Sequence, residues 1–264
     1  MQPKQLLEWY LEAGVDETIA EKPINRMAAR KKKVESETPH AAPSARQSFR
    51  VVAPSDAISE ARKLADQVKT LKELKEAVRS FEGCALKKTA TNTVFADGNP
   101  RANVMLIGEA PGSQEDQQGI PFCGPSGMLL DKMFAAIGID RNNVYISNTL
   151  FWRPPGNRQP SKEELAICEP FVQKHIALIN PALLIACGGV AVGSLLKKEQ
   201  GITRLRGHFH EYTNPYLSNP LPIAVLFHPS YLLRQPGQKR LAWHDMLAIR
   251  EFMDERKIVS PRPE

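Results

Sequence analysis

Apolar residues in the second half of the chain are grouped in four short runs, at residues 104–107, 144–146, 182–186 and 223–226. A glycine or a polar residue follows each run within two positions. Amphipathic segments with helical spacing alternate with these runs, at residues 128–137, 162–179, 190–197 and 241–254. Short buried strands that alternate with helices are typical of a parallel sheet covered on both faces. The pattern therefore predicts a three-layer α/β/α fold around a central four-stranded parallel sheet.

The N-terminal part of the chain has a different pattern. Residues 5–20 show the spacing of an amphipathic helix, which we assign to a segment of residues 1–21. Residues 22–55 contain four consecutive basic residues and then many Ala, Pro and Ser, a composition that buries little surface and predicts a linker. The basic run is either a solvated tether or a salt-sensitive contact for phosphates. Residues 56–264 then form the main domain, which begins with one capped helix over residues 57–80.

Composition and charge restrict the class of protein without identifying it. The chain has 264 residues, 42% of them apolar, and a formal net charge of +6. A basic balance of this size favours an anionic partner. Because no long apolar run is present and the N-terminus lacks the apolar core of a signal peptide, we expect a cytoplasmic protein without membrane contact. A monomer is the default expectation.

Residues capable of chemistry follow the apolar runs, at the sheet edge where folds of this class bind ligands. Phe122 lies in a stiff loop rich in Gly and Pro, which suits either a core contact or a fixed face for a planar ring. Asn148, at the end of the second run, either caps a turn or forms two complementary hydrogen bonds to a polar ring edge. His228 follows the fourth run and is either structural or catalytic.

A second group of residues suits contact with a polyanion. Arg153 and Arg158 lie in a loop made rigid by two prolines. We expect Leu232 and Leu233, which precede Arg234, to be exposed, as a wedge inserted between stacked bases requires. The candidates for this contact are Arg153, Arg158, Ser230, Leu232, Arg234, Lys239 and Arg240. For the last three, a solvated basic loop is the alternative.

In their order and spacing, these segments resemble the uracil-DNA glycosylase superfamily, and within it the family 4 enzymes. The similarity runs from about residue 81 to residue 252 and rests on segments at residues 108–116, 119–127, 145–148, 153–164 and 228–234. It implies a DNA-repair enzyme that flips uracil out of single- or double-stranded DNA. Hydrolysis of the N-glycosidic bond would release uracil and leave an abasic site.

The resemblance implies a role for each residue of the base pocket. Phe122 would stack on the flipped uracil. Asn148 would bind the polar edge of the base through an amide that offers both a donor and an acceptor. Glu115 matches the position that crowds C5 and so excludes thymine, a discrimination of roughly 1–3 kcal/mol for one methyl group.

The same resemblance implies how the leaving group and the sugar are stabilised. His228 and the backbone N–H groups of Glu109 and Ala110 would bind the negative charge on uracil O2. The carboxylate of Glu109 would lie near the sugar, where it orients water or offsets positive charge. Ala110 stands where the strongest enzymes of the superfamily have Asp, so the activation of water stays open. Ordinary release of uracil is expected, because the G-E-Q-P-G sequence of a covalently bonding branch is absent.

Members of family 4 usually bind a four-iron, four-sulfur cluster through four cysteines. By the resemblance, the ligand positions in this chain hold Phe81, Cys84, Trp152 and Cys168. Two ligands are thus replaced by aromatic side chains that would fill the volume of the cluster. The other cysteines, Cys123 and Cys187, do not compensate, and no C-x-x-C pair supports zinc. We expect no cluster and no other metal, and leave open whether Cys84 and Cys168 interact.

Three alternatives remain at the level of sequence. In the first, the chain is an inactive protein on a glycosylase fold that binds abasic or damaged DNA. In the second, it is a glycosylase for another deaminated base such as hypoxanthine or xanthine. Asn148 and Glu115 favour uracil over those bases. The third alternative is a doubly wound nucleotide-binding enzyme, which the absence of G-x-G-x-x-G and Walker A loops disfavours.

Overall fold

The computed structural model of the protein describes residues 53–258. The predicted N-terminal helix and nearly all of the predicted linker lie outside these residues, so the domain boundaries stay predictions. Within residues 53–258, no helix combines the length and the apolar character needed to cross a bilayer.

A mixed sheet forms the centre of the described part of the chain. Its strands are β1 (Asp97–Gly98), β2 (Val104–Gly108), β3 (Tyr145–Asn148), β4 (Leu183–Cys187), β5 (Phe209–Tyr212) and β6 (Leu221–Leu226). The strand order is β1-β3-β2-β4-β6-β5. Strands β3, β2, β4 and β6 are parallel, which confirms the predicted four-stranded parallel sheet. The register pairs Gly108 with Asn148, so the ends of β2 and β3 lie side by side.

Two antiparallel edge strands were not predicted. Strand β1 has two residues and pairs with β3, and β5 pairs with β6. An edge strand is covered on fewer sides, so its sequence lacks the continuous apolar run of a central strand. Most residues of β5 are accordingly half-buried or exposed.

Helices cover both faces of the sheet. Within the described residues they are α1 (Pro54–Gln67), α2 (Leu71–Ser80), α3 (Ser113–Gln118), α4 (Pro125–Ala135), α5 (Lys162–Ile179), α6 (Gly189–Leu196), α7 (Ile202–Leu205), α8 (Pro229–Arg234) and α9 (Lys239–Glu255). Short 3₁₀ turns occur at Ala85–Lys88, Pro155–Asn157 and Pro236–Gln238. The four helices predicted between or after the apolar runs correspond to α4, α5, α6 and α9.

The prediction of one helix over residues 57–80 is wrong, because two helices occupy this range. Val68 is extended and ends α1. Thr70 is extended as well, and its hydroxyl accepts the backbone N–H of Glu73 at 3.2 Å, which caps the start of α2. The apolar spacing continues across the break because both helices cover the same core, so hydrophobic periodicity alone did not show it.

Side chains of the central strands alternate between two cores. Met105 and Ile107 of β2 face a core that includes α1, α2 and α5. Val104 and Leu106 face a second core that includes α4 and α9. Successive side chains of a strand point to opposite faces, so strands buried on both sides appear as unbroken apolar runs. This arrangement of helices, sheet and helices confirms the predicted three layers.

Candidate active site

A cleft of about 660 Å³ opens at the carboxyl ends of the parallel strands. All six residues predicted for base binding and catalysis line it, together with three of the predicted DNA contacts. The predicted residues that line the cleft are Glu109, Ala110, Glu115, Phe122, Asn148, Arg158, His228, Ser230 and Arg234. Those outside its lining are Arg153, Leu232, Lys239 and Arg240.

Asn148 ends β3 at the bottom of the cleft and is 2% exposed. Its side-chain Oδ1 is buried and has no hydrogen-bond partner among the described residues. A Cβ at Gly108 would lie 2.5 Å from this Oδ1 and 2.6 Å from the ring of Phe122. Because glycine has no Cβ, the side chains of Asn148 and Phe122 can both approach the backbone at position 108. A buried acceptor without a partner costs stability, which a ligand that donates a hydrogen bond would recover.

Phe122 presents a fixed aromatic wall. Its ring centroid lies 5.4 Å from that of His228, with 28° between the ring planes. The φ of Phe122 is 53°, in the left-handed region, which costs a residue with a side chain about 1 kcal/mol. A Cβ at Gly127 would lie 1.6 Å from the Phe122 carbonyl oxygen, so only glycine lets α4 begin beside this loop. Strained backbone of this kind persists where surrounding contacts hold it.

The carboxylate of Glu115 joins the two loops of the pocket. One oxygen accepts the backbone N–H of Gly112 at 3.1 Å, and the other accepts that of Gly124 at 2.9 Å. These bonds link the loop after β2 to the loop that carries Phe122. Glu115 also lines the cleft, so its position is fixed before any ligand binds.

His228 is held as a neutral ring. Burial, together with the positive charge of Arg234, lowers its pKa to about 4. Its Nδ1 accepts the backbone N–H of Ser230 at 3.1 Å and lies 2.8 Å from the Ser230 hydroxyl. Because Nδ1 accepts the backbone proton, the ring proton lies on Nε2. The ring therefore offers an N–H donor without a positive charge.

Glu109 begins the loop after β2. Burial raises the pKa of its carboxyl above the usual value, and the nearby positive charge of Arg234 opposes this rise. The backbone carbonyl of Glu109 accepts the Thr149 hydroxyl at 2.6 Å and the Leu150 N–H at 3.2 Å. The backbone at this position is thus held by the continuation of β3.

Some of the side chains predicted to contact phosphates have hydrogen-bond partners within the protein, and others are exposed. Arg158 forms two hydrogen bonds to the carboxylate of Glu164, at 2.5 and 2.9 Å. The Nε of Arg153 donates to Asn157 at 2.7 Å. Lys239 and Arg240 are exposed at the start of α9.

The expectation that Leu232 is exposed is wrong. Leu232 is 1% exposed and packs with Phe227 and Ala242 in a small core below α8. Leu233 is 43% exposed and is the leucine of this pair that faces solvent. Adjacent residues of an α-helix point about 100° apart, so α8 buries one leucine and exposes the other.

The four positions that the resemblance assigns to cluster ligands meet in one core. Phe81, Cys84, Trp152 and Cys168 are each no more than 1% exposed. A hydrogen bond between the two thiols lowers the pKa of Cys84 and raises that of Cys168. The ring of Phe81 packs edge-on against Phe171 at 5.2 Å. Two thiols and two aromatic rings do not fit a cluster that four thiolates hold.

Several residues that build the cleft were not predicted from the sequence. Gly188, with a φ of 96°, passes so close to His228 that a Cβ would lie 3.1 Å from that of His228. The position of Gly188 just after an apolar run could have identified it as a cleft residue from the sequence. Ile202 and Thr203 of α7 also line the cleft, and the chain pattern had no signal for them because folding alone brings α7 there.

Comparison with known proteins gives consistent matches. Residues 95–247 match the model of the uracil DNA glycosylase superfamily. A type-4 uracil-DNA glycosylase of Sulfurisphaera tokodaii is 34% identical over 69% of this chain and 84% of its own length. That of Thermotoga maritima is 37% identical over 67% of this chain and 92% of its own length. That of Pyrobaculum aerophilum is 31% identical over 71% of this chain and 99% of its own length.

Proposed function

Because the chain belongs to the uracil-DNA glycosylase superfamily, we propose that it is a DNA-repair enzyme that releases uracil from DNA. The nucleotide is flipped into the cleft, the bond between uracil N1 and sugar C1′ is hydrolysed, and an abasic site remains. The observation that carries this proposal is the buried, unpartnered Oδ1 of Asn148 beside the ring of Phe122.

Asn148 and Phe122 together select the base. The Oδ1 of Asn148 accepts the N3–H of uracil, and its amide nitrogen donates to O4. Cytosine presents an acceptor at N3 and donors at C4, so it leaves the buried Oδ1 without a donor at N3. The ring of Phe122 stacks on the base, and Glu115, fixed by two backbone N–H groups, crowds C5 and excludes thymine.

His228 stabilises the leaving group. As the C1′–N1 bond breaks, the electron pair stays on uracil and negative charge develops on O2. The neutral ring of His228 donates its Nε2–H to this oxygen, and the backbone N–H groups of Glu109 and Ala110 contribute. A preorganised donor in a dry site is worth roughly 3–4 kcal/mol to the transition state. The neutral form suits this task because it binds the anion without accepting a proton first.

The carboxylate of Glu109 offsets the positive charge that develops on the sugar and orients the attacking water. Water adds its hydroxyl group to C1′ and gives up one proton, which balances the anionic uracil that leaves. The raised pKa of Glu109 sets an acid limit for this role, since the protonated carboxyl no longer offsets positive charge.

DNA lies over the mouth of the cleft. The charge of Arg234 lowers the pKa values of both Glu109 and His228, and this side chain contacts the phosphates beside the flipped nucleotide. Exposed Leu233, rather than buried Leu232, fills the gap in the base stack. Further contacts to the phosphate backbone come from Arg153, Arg158, Ser230, Lys239 and Arg240.

The enzyme acts as a cytoplasmic monomer without a cofactor. The support for a cluster-free enzyme is the replacement of two ligand positions by Phe81 and Trp152, which pack in the core where ligands are expected. Hydrolysis by the residues above needs no redox group, so all of its steps are assigned to side chains and backbone of this chain.

A uracil-release assay tests the proposal. The wild-type protein is mixed with an oligonucleotide that contains one uracil, and alkali-labile breaks are counted with time. We expect release by the wild type and a rate lower by about 10²–10³-fold in His228→Ala, as for the loss of one donor to a developing oxyanion. Asn148→Ala should lose rate and discrimination against cytosine together.

Asn142→Ala and His244→Ala are the matched controls, since both residues are exposed and neither lines the cleft. Their rates should equal that of the wild type. Tight binding of abasic DNA without release of any base would instead favour the DNA-binding alternative. Preferred release of hypoxanthine or xanthine from a panel of substrates would overturn the assignment of uracil.

A further inference from the structure

Arg141 lies in the loop between α4 and β3 and does not line the cleft. We infer that it is a positioning residue, which fixes the backbone of Phe122 and with it the plane of the ring on which the base stacks. This inference rests on the proposed function, because stacking on Phe122 is part of that function.

The guanidinium of Arg141 binds two backbone carbonyl groups of the loop between α3 and α4, residues 119–124, which we call the pocket loop. Its Nη2 donates to the carbonyl of Phe122 at 2.5 Å, and its Nη1 donates to that of Pro121 at 3.3 Å. These hydrogen bonds hold the backbone of Pro121 and Phe122, which sets the direction of the Phe122 ring. A carbonyl bonded to a charged donor is held more strongly than one bonded to a neutral donor.

Two carboxylates orient the guanidinium from the other side. Nε donates to Asp131 of α4 at 2.9 Å, and Nη1 donates to Asp97 of β1 at 2.5 Å. Arg141 therefore ties the sheet edge, the helix after the loop and the loop itself into one unit. The fixed fork of five donors on arginine suits this task, and a lysine side chain cannot reproduce it.

The left-handed backbone of Phe122 explains why the loop requires this support. A residue with a side chain leaves the left-handed region unless its surroundings hold it there. The other described bond across this loop, from Gly124 N–H to Glu115, lies two residues further along the chain. Without Arg141, we expect Phe122 to relax to an extended backbone and its ring to leave the face of His228.

The experiment compares Arg141→Ala with Arg250→Ala. Arg250 bonds a carboxylate and a backbone carbonyl as well, those of Asp254 and Ile137, but it does not line the cleft, and no described bond joins it to the pocket loop. Both variants lose a partly exposed cation, with two ion pairs at Arg141 and one at Arg250. In single-turnover assays we expect Arg141→Ala to release uracil about 10- to 100-fold more slowly, the range for a misplaced reactive geometry. Its affinity for uracil-free duplex should equal that of the wild type.

A second readout needs no activity. The ring of Phe122 stacks on that of His228, so the ring C–H resonances of His228 in a ¹H–¹³C spectrum report the position of Phe122. His228→Gln identifies those resonances. Arg141→Ala should move them toward their position in Phe122→Leu, whereas Arg250→Ala and wild type should agree. Arg141→Lys, which keeps the charge but lacks the fork, should resemble Arg141→Ala and replaces it if the alanine variant does not fold.

Unchanged His228 resonances in the Arg141 variants would overturn the inference, whatever the rates. A moved resonance with a rate within twofold of Arg250→Ala would overturn it as well, because the ring position would then not matter for release. If the wild type releases no uracil, the proposed function fails, and the resonances still show whether Arg141 positions Phe122.

Discussion

At the scale of single residues, the proposed chemistry of the cleft depends on two polar groups, the buried amide of Asn148 and the partly buried ring of His228. Asn148 keeps an acceptor without a partner among the described residues, and His228 keeps a neutral ring with its proton on Nε2. A low-dielectric site strengthens hydrogen bonds to such groups and makes unpaired ones costly. Asn148 therefore suits a ligand group that donates a hydrogen bond, and His228 suits a ligand atom on which negative charge develops.

The pH dependence of release tests the neutral state of His228. Its pKa in the folded protein is about 4, below the ordinary 6.5, so the ring stays neutral as pH falls through 6.5. It gains a proton only as pH approaches 4, and the cation then has protons on both nitrogens and loses the bond from Ser230 N–H. In single-turnover assays we expect no change of rate through pH 6.5 and a fall at more acidic pH.

Arg234→Gln is the informative variant for this profile. Arg234 lowers the pKa values of both His228 and Glu109, so its removal should raise both and move the acid limb to higher pH. Glu109→Gln removes one of the two titrations and separates them. A wild-type inflection near pH 6.5 that disappears in His228→Gln would contradict the neutral ring.

At the scale of elements, α8 joins His228, the proposed catalytic residue, to the surface that we propose meets DNA. His228 caps its first turn through Ser230 N–H. One turn later Leu232 packs into the core while Leu233 faces solvent. A short helix anchored at one leucine can present the next one rigidly, which suits insertion into a base stack.

Substitutions of the two leucines should separate folding from DNA distortion. We expect Leu232→Ala to lower the free energy of unfolding by about 2–5 kcal/mol, the range for a buried leucine. Leu233→Ala should leave that free energy nearly unchanged and slow release from duplex DNA more than from single strands, because a single strand has no stack to fill. Denaturant unfolding and paired release assays measure these effects, and equal loss on both substrates would argue against a wedge.

At the scale of the whole molecule, the core around α1, α2 and α5 contains aromatic rings at two of the positions that the resemblance assigns to cluster ligands. Phe81 and Trp152 are fully packed, and the free thiols of Cys84 and Cys168 are joined by a hydrogen bond. Burial of large rings supplies the stability that metal ligation would otherwise contribute.

We therefore expect this chain to fold without iron. Protein purified without oxygen should contain no stoichiometric iron and lack the visible absorbance of a cluster, and a chelator should leave its melting temperature unchanged. Trp152→Ala should cost about 3–5 kcal/mol of stability, because the cavity is not refilled. A family member that keeps four cysteines, prepared in parallel, is the control. Stoichiometric iron in this chain would contradict the expectation.

Much of this architecture was predictable from the sequence, because local patterns carry it. Strands buried on both faces require unbroken apolar runs, and parallel strands bring their carboxyl ends to one edge. The runs thus predicted the parallel sheet and the meeting of Asn148 and His228 at one edge, whereas the place of Phe122 beside them was implied by the resemblance. The break between α1 and α2 and the edge strands escaped prediction, because their sequences lack a periodicity that separates them from neighbours.

The tertiary structure alone determined the direction in which some side chains point and the contacts between residues distant in the sequence. Which of two adjacent leucines is buried depends on the rotation of α8 about its axis, and apolar character does not specify that rotation. The support of Phe122 by Arg141 joins residues 19 positions apart, through a carbonyl that every residue type possesses. The protonation state of His228 likewise follows from burial and from Arg234. Composition determines which groups are available, whereas folding determines which of them meet and in what charge state.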